Sequence, residues 1–262
     1  MSLLLSACGR ALRDTLTPRM LALAIWPLLA GLLIWLLLAW LYWARWTQWV
    51  DVWMAGSFVA RWFPDGVPLL AHYAAWLGLV LVLIPAVLAT AGMLAALLAM
   101  PLIVGFVAAR GYPALQRRQG GSLRGSFINT LIALAVFAAL WLLTLPLWFT
   151  LVLGPPLALL LSAWLIQRLF RYDALAEHAD AAEYRTLVST CRGRFFLLGV
   201  AVALLYALPV VNLLAPIAGG LMFTHYALAR LAELRAAEQQ YSALKKRGAA
   251  APRNFSAFHR FT

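Results

Sequence analysis

Hydrophobic positions are gathered into four long blocks. Residues 20–44, 67–109, 126–167 and 195–229 contain no Lys, Arg, Asp or Glu, and each is at least as long as the roughly 20 residues that cross a bilayer as a helix. The first block suits one crossing. Trp26, Trp35, Trp40, Tyr42 and Trp43 lie in it, and the aromatic cluster at its far end marks a water interface. The second is longer than one crossing needs and carries Pro68, Pro85 and Pro101. It is expected to tilt, break at a proline or extend beyond the bilayer. As one straight helix the fourth would be about 50 Å long, against a hydrocarbon core of about 30 Å. Its centre holds Pro209, Asn212, Pro216 and the pair Gly219-Gly220, where a chain would reverse. The third block has Pro146 and Gly154-Pro155-Pro156 in its interior. Both blocks therefore read as helical hairpins, either two short spans or a re-entrant loop. Leu145-Pro146 and Leu208-Pro209 stand 22 and 21 residues before Arg168 and Arg230, a faint repeat of the kind that transporters use.

The polar stretches complete the layout. Residues 1–19 mix Leu3, Leu4, Leu5, Leu12 and Leu16 with Arg10, Arg13 and Arg19, as in a short helix lying on a membrane surface. The 45–66 stretch, with Trp46, Trp49, Trp53 and Trp62, is expected to lie in the headgroup region. Its two arginines, Arg45 and Arg61, are balanced by Asp51 and Asp65. By contrast, 110–125 has Arg110, Arg117, Arg118 and Arg124 and no acid, and 168–194 and the tail are also net positive. The positive-inside rule then puts 45–66 outside and both termini in the cytoplasm. The 173–188 stretch, DALAEHADAAEYRTLV, reads as a water-exposed helix. We expect one membrane domain over 1–235 and a disordered basic tail over 236–262, the chain from Arg230 starting as a charged helix and ending in the disordered-looking run 245–262.

Composition agrees with this class. The chain is 65% hydrophobic and 11% charged, whereas soluble domains carry about 25% charged residues. Its net charge of +12 falls outside or at the ends of the apolar blocks, which fits membrane topology and anionic lipid rather than nucleic acid. Cys8 and Cys191 are the two cysteines and make no disulfide framework or metal motif. The first apolar block lacks the length and cleavage pattern of a signal peptide and is expected to stay as an anchor.

Candidate chemistry is confined to helix entrances. No acid lies in any apolar block, no His/Cys/Asp cluster has metal spacing, and no glycine-rich phosphate loop follows a strand. Enzymatic function, a metal and a cofactor are therefore not expected. His72, near the start of the second block, reads as an interfacial hydrogen-bonding group. Thr17-Pro18-Arg19 reads as a capped helix start, Ser122, Arg124 and Gly125-Ser126 precede the third block, and Arg192-Gly193-Arg194 precedes the fourth. Helix amino termini favour anions, and arginine adds a forked donor. Arg19, Arg124, Arg192 and Arg194 are thus the candidate anion-binding residues; the same arginines could instead anchor helix ends to lipid phosphate. Pro209, Asn212, Pro216, Gly154, Pro155 and Pro156 are the candidate hairpin-shaping residues.

The run Leu208-Pro209-Val210-Val211-Asn212-Leu213-Leu214-Ala215-Pro216, then Gly219 and Gly220, carries a resemblance. With Ser162-Ala163-Trp164, Tyr172-Asp173 and Pro27-Leu28-Leu29, it is similar to the CysZ/etoposide-induced-protein family over about residues 15–235. The resemblance implies a bacterial inner-membrane sulfate permease feeding cysteine synthesis, an oligomer with long helices and hairpins that partly penetrate the bilayer. It also implies an arginine pair for sulfate near the start of the first long helix, but matching on Pro27 puts Leu21 and Ala22 there, with Arg19 nearby. The helix after Pro101, acidic in the permeases, holds no acid over Leu102 to Ala109. The expectation is an all-α polytopic inner-membrane protein moving a small solute, with sulfate or a related oxyanion leading. The alternative is a non-transporting scaffold or envelope-assembly protein of the same fold.

Overall fold

The structure is a computed structural model that describes residues 2–57, 61–62, 67–118, 120–121, 123–148, 150, 152–208 and 211–246. Among these there is no strand, and nine α-helices follow one another. They are α1 (Ser2–Thr15), α2 (Pro18–Ala55), α3 (Val67–Gly111), α4 (Leu123–Leu143), α5 (Leu145–Trp148), α6 (Gly154–Ala176), α7 (Ala181–Thr190), α8 (Arg192–Ala207) and α9 (Ala215–Lys246). A 3-10 turn, Val211–Leu213, precedes α9. By length and composition, α2, residues Leu69–Gly111 of α3 and residues Arg124–Leu143 of α4 can each cross a membrane, and α7 with α8, bent by 76°, would make a fourth span.

Contacts divide the described residues into two compact units, one within 22–98 and the other within 1–21 and 99–262.

In the first unit α2 and α3 run antiparallel. A Cβ on Gly31 would stand 3.0 Å from the Val87 carbonyl oxygen, so the absence of a side chain there lets the backbones approach. Trp35 Nε1 donates to Thr90 Oγ1 at 2.9 Å and Trp46 Nε1 to the Ala75 carbonyl at 3.0 Å. Val50, Met54, Ala71 and Ala75 form a small core beneath Trp46. Residues 45–55 continue α2 beyond the end of the first apolar block at Ala44, and the helix is 38 residues long, about 57 Å. The physical reason is that nothing between Ala44 and Gly56 breaks a helix, neither Pro nor Gly, and tryptophans and charges change only its surroundings. The prolines of the second block likewise leave α3 continuous over 45 residues, and Asp65 lies outside the described residues.

In the second unit α9 is the centre. All residues from Ile217 to Ala229 are buried, enclosed by α1, α6 and α8, with Met100 and Ile103 of α3 against Gly220. Phe195 of α8 stacks on Phe223 of α9 at 6.2 Å and meets Tyr226 edge-on at 5.3 Å. On Gly199, a Cβ would come 2.4 Å from the Ala163 carbonyl oxygen, which is why α8 can lie directly on α6. The third and fourth blocks thus fold as helix–turn–helix. Gly154, Pro155 and Pro156 form the first turn of α6, where the missing proline N–H groups have no helical acceptor to lose. Pro216 plays the same part in α9. The Asn212 N–H closes the turn on the Leu208 carbonyl at 2.8 Å; Pro209 lies outside the described residues.

Other boundaries depart from expectation. Helix α1 buries Ala7, Ala11 and Thr15, spaced four apart, against α9 instead of resting on a surface alone. Thr17 does not cap α2 through its side chain: its hydroxyl donates to the Asp14 carbonyl at 2.6 Å and closes α1. Helix α6 runs on to Ala176, past Arg168 and Arg171, while the charged stretch after Arg230 is helical as expected, continuing α9 to Lys246.

Candidate functional site

The four sequence-predicted arginines occupy helix starts. Arg19 is the second residue of α2, Arg124 the second of α4, and Arg192 and Arg194 the first and third of α8. All four side chains are exposed, and the structure does not gather them into one site. Ser122 lies outside the described residues. Arg194 has a definite neighbourhood: it acts on the hydroxyl of buried Tyr226, beside Cys191. Arg230 donates to the same hydroxyl through Nε at 3.3 Å, stands over the ring at 5.6 Å and pairs with Glu233 at 2.7 Å.

A larger polar cluster joins residues far apart in sequence. Asp180 caps α7, its carboxylate accepting from the Ala182 and Glu183 N–H groups, while Glu183 accepts from the Asp180 N–H at 2.8 Å. The Asp-x-x-Glu spacing is the reciprocal cap. Glu183 is buried, and Arg235 of α9 grips it with a fork, Nε at 2.7 Å and Nη2 at 3.0 Å. Arg235 also donates to the carbonyls of Gln116 at 2.8 Å and His178 at 2.6 Å. Arg118 bridges Asp180 at 3.1 Å and Glu183 at 2.9 Å. Hydrogen bonding to the Glu183 N–H first, and then Arg118, holds the Asp180 carboxyl below its ordinary range. Burial holds the His178 imidazole below its ordinary value. A cleft of about 440 Å³ opens beside the cluster, lined by Tyr112, Gln116, Arg118, Arg235 and Gln239 among others. Two carboxylates and two guanidiniums cancel, so this cluster fastens the connection before α4 to α7 and α9 and offers no net charge to an anion. Sequence reasoning missed it: 173–188 was read as one water-exposed helix, whereas the chain breaks between Ala176 and Ala181 and buries His178 and Glu183, and Arg118 and Arg235 carry no local signature.

Two further groups were not anticipated. Asp14 of α1 meets buried His225 of α9, Oδ2 to Nε2 at 2.8 Å. Arg168 and Arg171 of α6 are half-buried, and the Nε atom of each is buried without a partner. Among the described residues, no group of three or more His, Cys, Asp or Glu side chains could hold a metal ion.

Helices that are apolar on all sides, with exposed leucines such as Leu33, Leu77 and Leu142, and with cations held to their ends, define an all-α polytopic membrane protein. Residues 7–216 match the family described as Sulfate transporter CysZ/Etoposide-induced protein 2.4, and the chain belongs to that family. Neither a curated protein nor a solved structure matches it.

Proposed function

We propose that this protein is a multi-pass permease of a bacterial inner membrane, passing sulfate or a related oxyanion. The family match over residues 7–216 carries the reading. Three helices suited to crossing a bilayer support it, as does an arginine excess that favours cytoplasmic termini. Arg19 recruits the anion at the start of α2, with Arg124, Arg192 and Arg194 in supporting roles, each exposed at a helix amino terminus. The hairpins over 126–167 and 195–229 enter and leave on one face, and the working unit is a homo-oligomer in lipid. A non-transporting scaffold of the same fold is the competing reading. It is favoured by α2 and α3, where among the described residues Lys, Asp and Glu are limited to Asp51 and the side chains largely face lipid.

Uptake of radiolabelled sulfate into proteoliposomes decides between them. Saturable uptake by the wild type that falls in Arg19→Ala is the expected result. Uptake no greater than in empty vesicles, from protein shown to be folded, refutes the permease.

A further inference from the structure

We propose that Arg168 and Arg171 of α6 form a binding site for one tetrahedral oxyanion, a location that deepens the permease reading and rests on it for the identity of the soluble anion. Three residues apart, they are neighbours on the helix surface, with Cβ atoms about 5–6 Å from each other. Each is half-buried, and each keeps an Nε–H that is buried and meets no acceptor in the chain. A buried donor left unmade is unfavourable, so two side by side call for an acceptor from outside the polypeptide.

The rest of each side chain is already held in place. Arg171 donates through Nη1 to Gln167 Oε1 at 2.9 Å. Nη1 lies on the side of the guanidinium away from the Nε–H, so the Nε–Nη2 edge stays available as a two-toothed donor. The Arg168 guanidinium lies over the Trp164 ring at 5.6 Å, a contact that uses its face and leaves its edges for hydrogen bonds. No carboxylate pairs with either among the described residues, whereas Arg117, Arg118, Arg230 and Arg235 each have an acid partner. The nearby Asp173 carboxylate instead accepts from the Ser126 hydroxyl. Two guanidiniums three residues apart on one helix, each with an unmet Nε–H, match the oxygens and charge of sulfate, or of a phospholipid phosphate.

The test uses full-length protein in detergent, with equilibrium binding of radiolabelled sulfate and native mass spectrometry of retained phosphatidylglycerol. Arg168→Gln and Arg171→Gln are compared with Arg117→Gln, and Arg168→Lys and Arg171→Lys keep the charge while losing the fork. The expected result is that either Gln variant weakens sulfate binding by about tenfold or more, the Lys variants do so partly, and Arg117→Gln leaves it unchanged. Sulfate binding that does not change while retained phosphatidylglycerol falls in the same variants assigns the site to lipid phosphate. Neither quantity changing, as when water alone fills the site, overturns the proposal. Protein that binds sulfate through these arginines yet takes none up in vesicles refutes the permease and leaves the site standing; uptake with unaltered binding in both Gln variants does the reverse.

Discussion

Replacing Glu183 by Ala should unfasten the polar cluster at the turn between α6 and α7. The Glu183 side chain is 4% exposed and that of Arg235 is 10% exposed, so the substitution leaves Arg235 a buried cation hydrogen-bonded only to the Gln116 and His178 carbonyls. Removing one partner of a buried ion pair costs about 3–5 kcal/mol. The Asp180 N–H also loses its acceptor, worth about 0.5–1.5 kcal/mol, and the two losses overlap. For a chain of this size, about 4 kcal/mol corresponds to a fall in Tm of roughly 10 °C. Arg118→Ala is the contrast, because the Arg118 side chain is 45% exposed and Glu183 keeps its fork to Arg235; its loss should be below about 1 kcal/mol. Thermal unfolding in one detergent at one scan rate provides the comparison. The Glu183→Ala/Arg235→Ala double variant should lose less than the sum of its parts, since no buried charge is then stranded. Equal shifts for Glu183→Ala and Arg118→Ala, or strictly additive losses in the double variant, would refute the reasoning.

Four other outcomes are expected. Gly199→Ala should sharply lower the yield of monodisperse protein, since its Cβ would meet the Ala163 carbonyl oxygen at 2.4 Å. Gly193→Ala, with nothing within 4 Å, should be neutral or stabilise α8 by about 0.5–1 kcal/mol. His178 is held below the ordinary imidazole value by burial and Asp180 below the ordinary carboxylate value. In both cases the unfolded chain binds more protons, so Tm should fall as pH drops below about 6.5 and again through the carboxylate range; His178→Gln should make the first decline shallower. Finally, Asp14→Ala should free α1 without unfolding α9, and limited proteolysis should then cut within residues 2–17 faster than in the wild type.

The sequence exposed the architecture where it was governed by bilayer thickness and by proline. That Gly154, Pro155 and Pro156 open a new helix, α6, was legible because these residues limit backbone geometry wherever they occur. The path of residues 45–55 was not legible: tryptophans and charges announce a water interface but say nothing about whether the helix stops there. Candidate arginines were legible as charges at helix starts, yet their surroundings were not. Arg194 lies near the Tyr226 hydroxyl that Arg230 binds, and Arg118, Glu183 and Arg235 converge from three segments, none with a periodic trace. Arg168 and Arg171 looked like ordinary loop cations because the end of α6 was placed too early.

The contact between Asp14 and His225 joins residues 211 positions apart. At about 5–20 residues per second of translation, α1 leaves the ribosome roughly 10–40 s before the helix that receives it. For that interval its small-residue face, Ala7, Ala11 and Thr15, is without its partner. Helix α1 is therefore among the last to settle although it is made long before α9, and a nascent chain arrested before α9 should display residues 2–15 to a protease or a chaperone that the finished fold excludes.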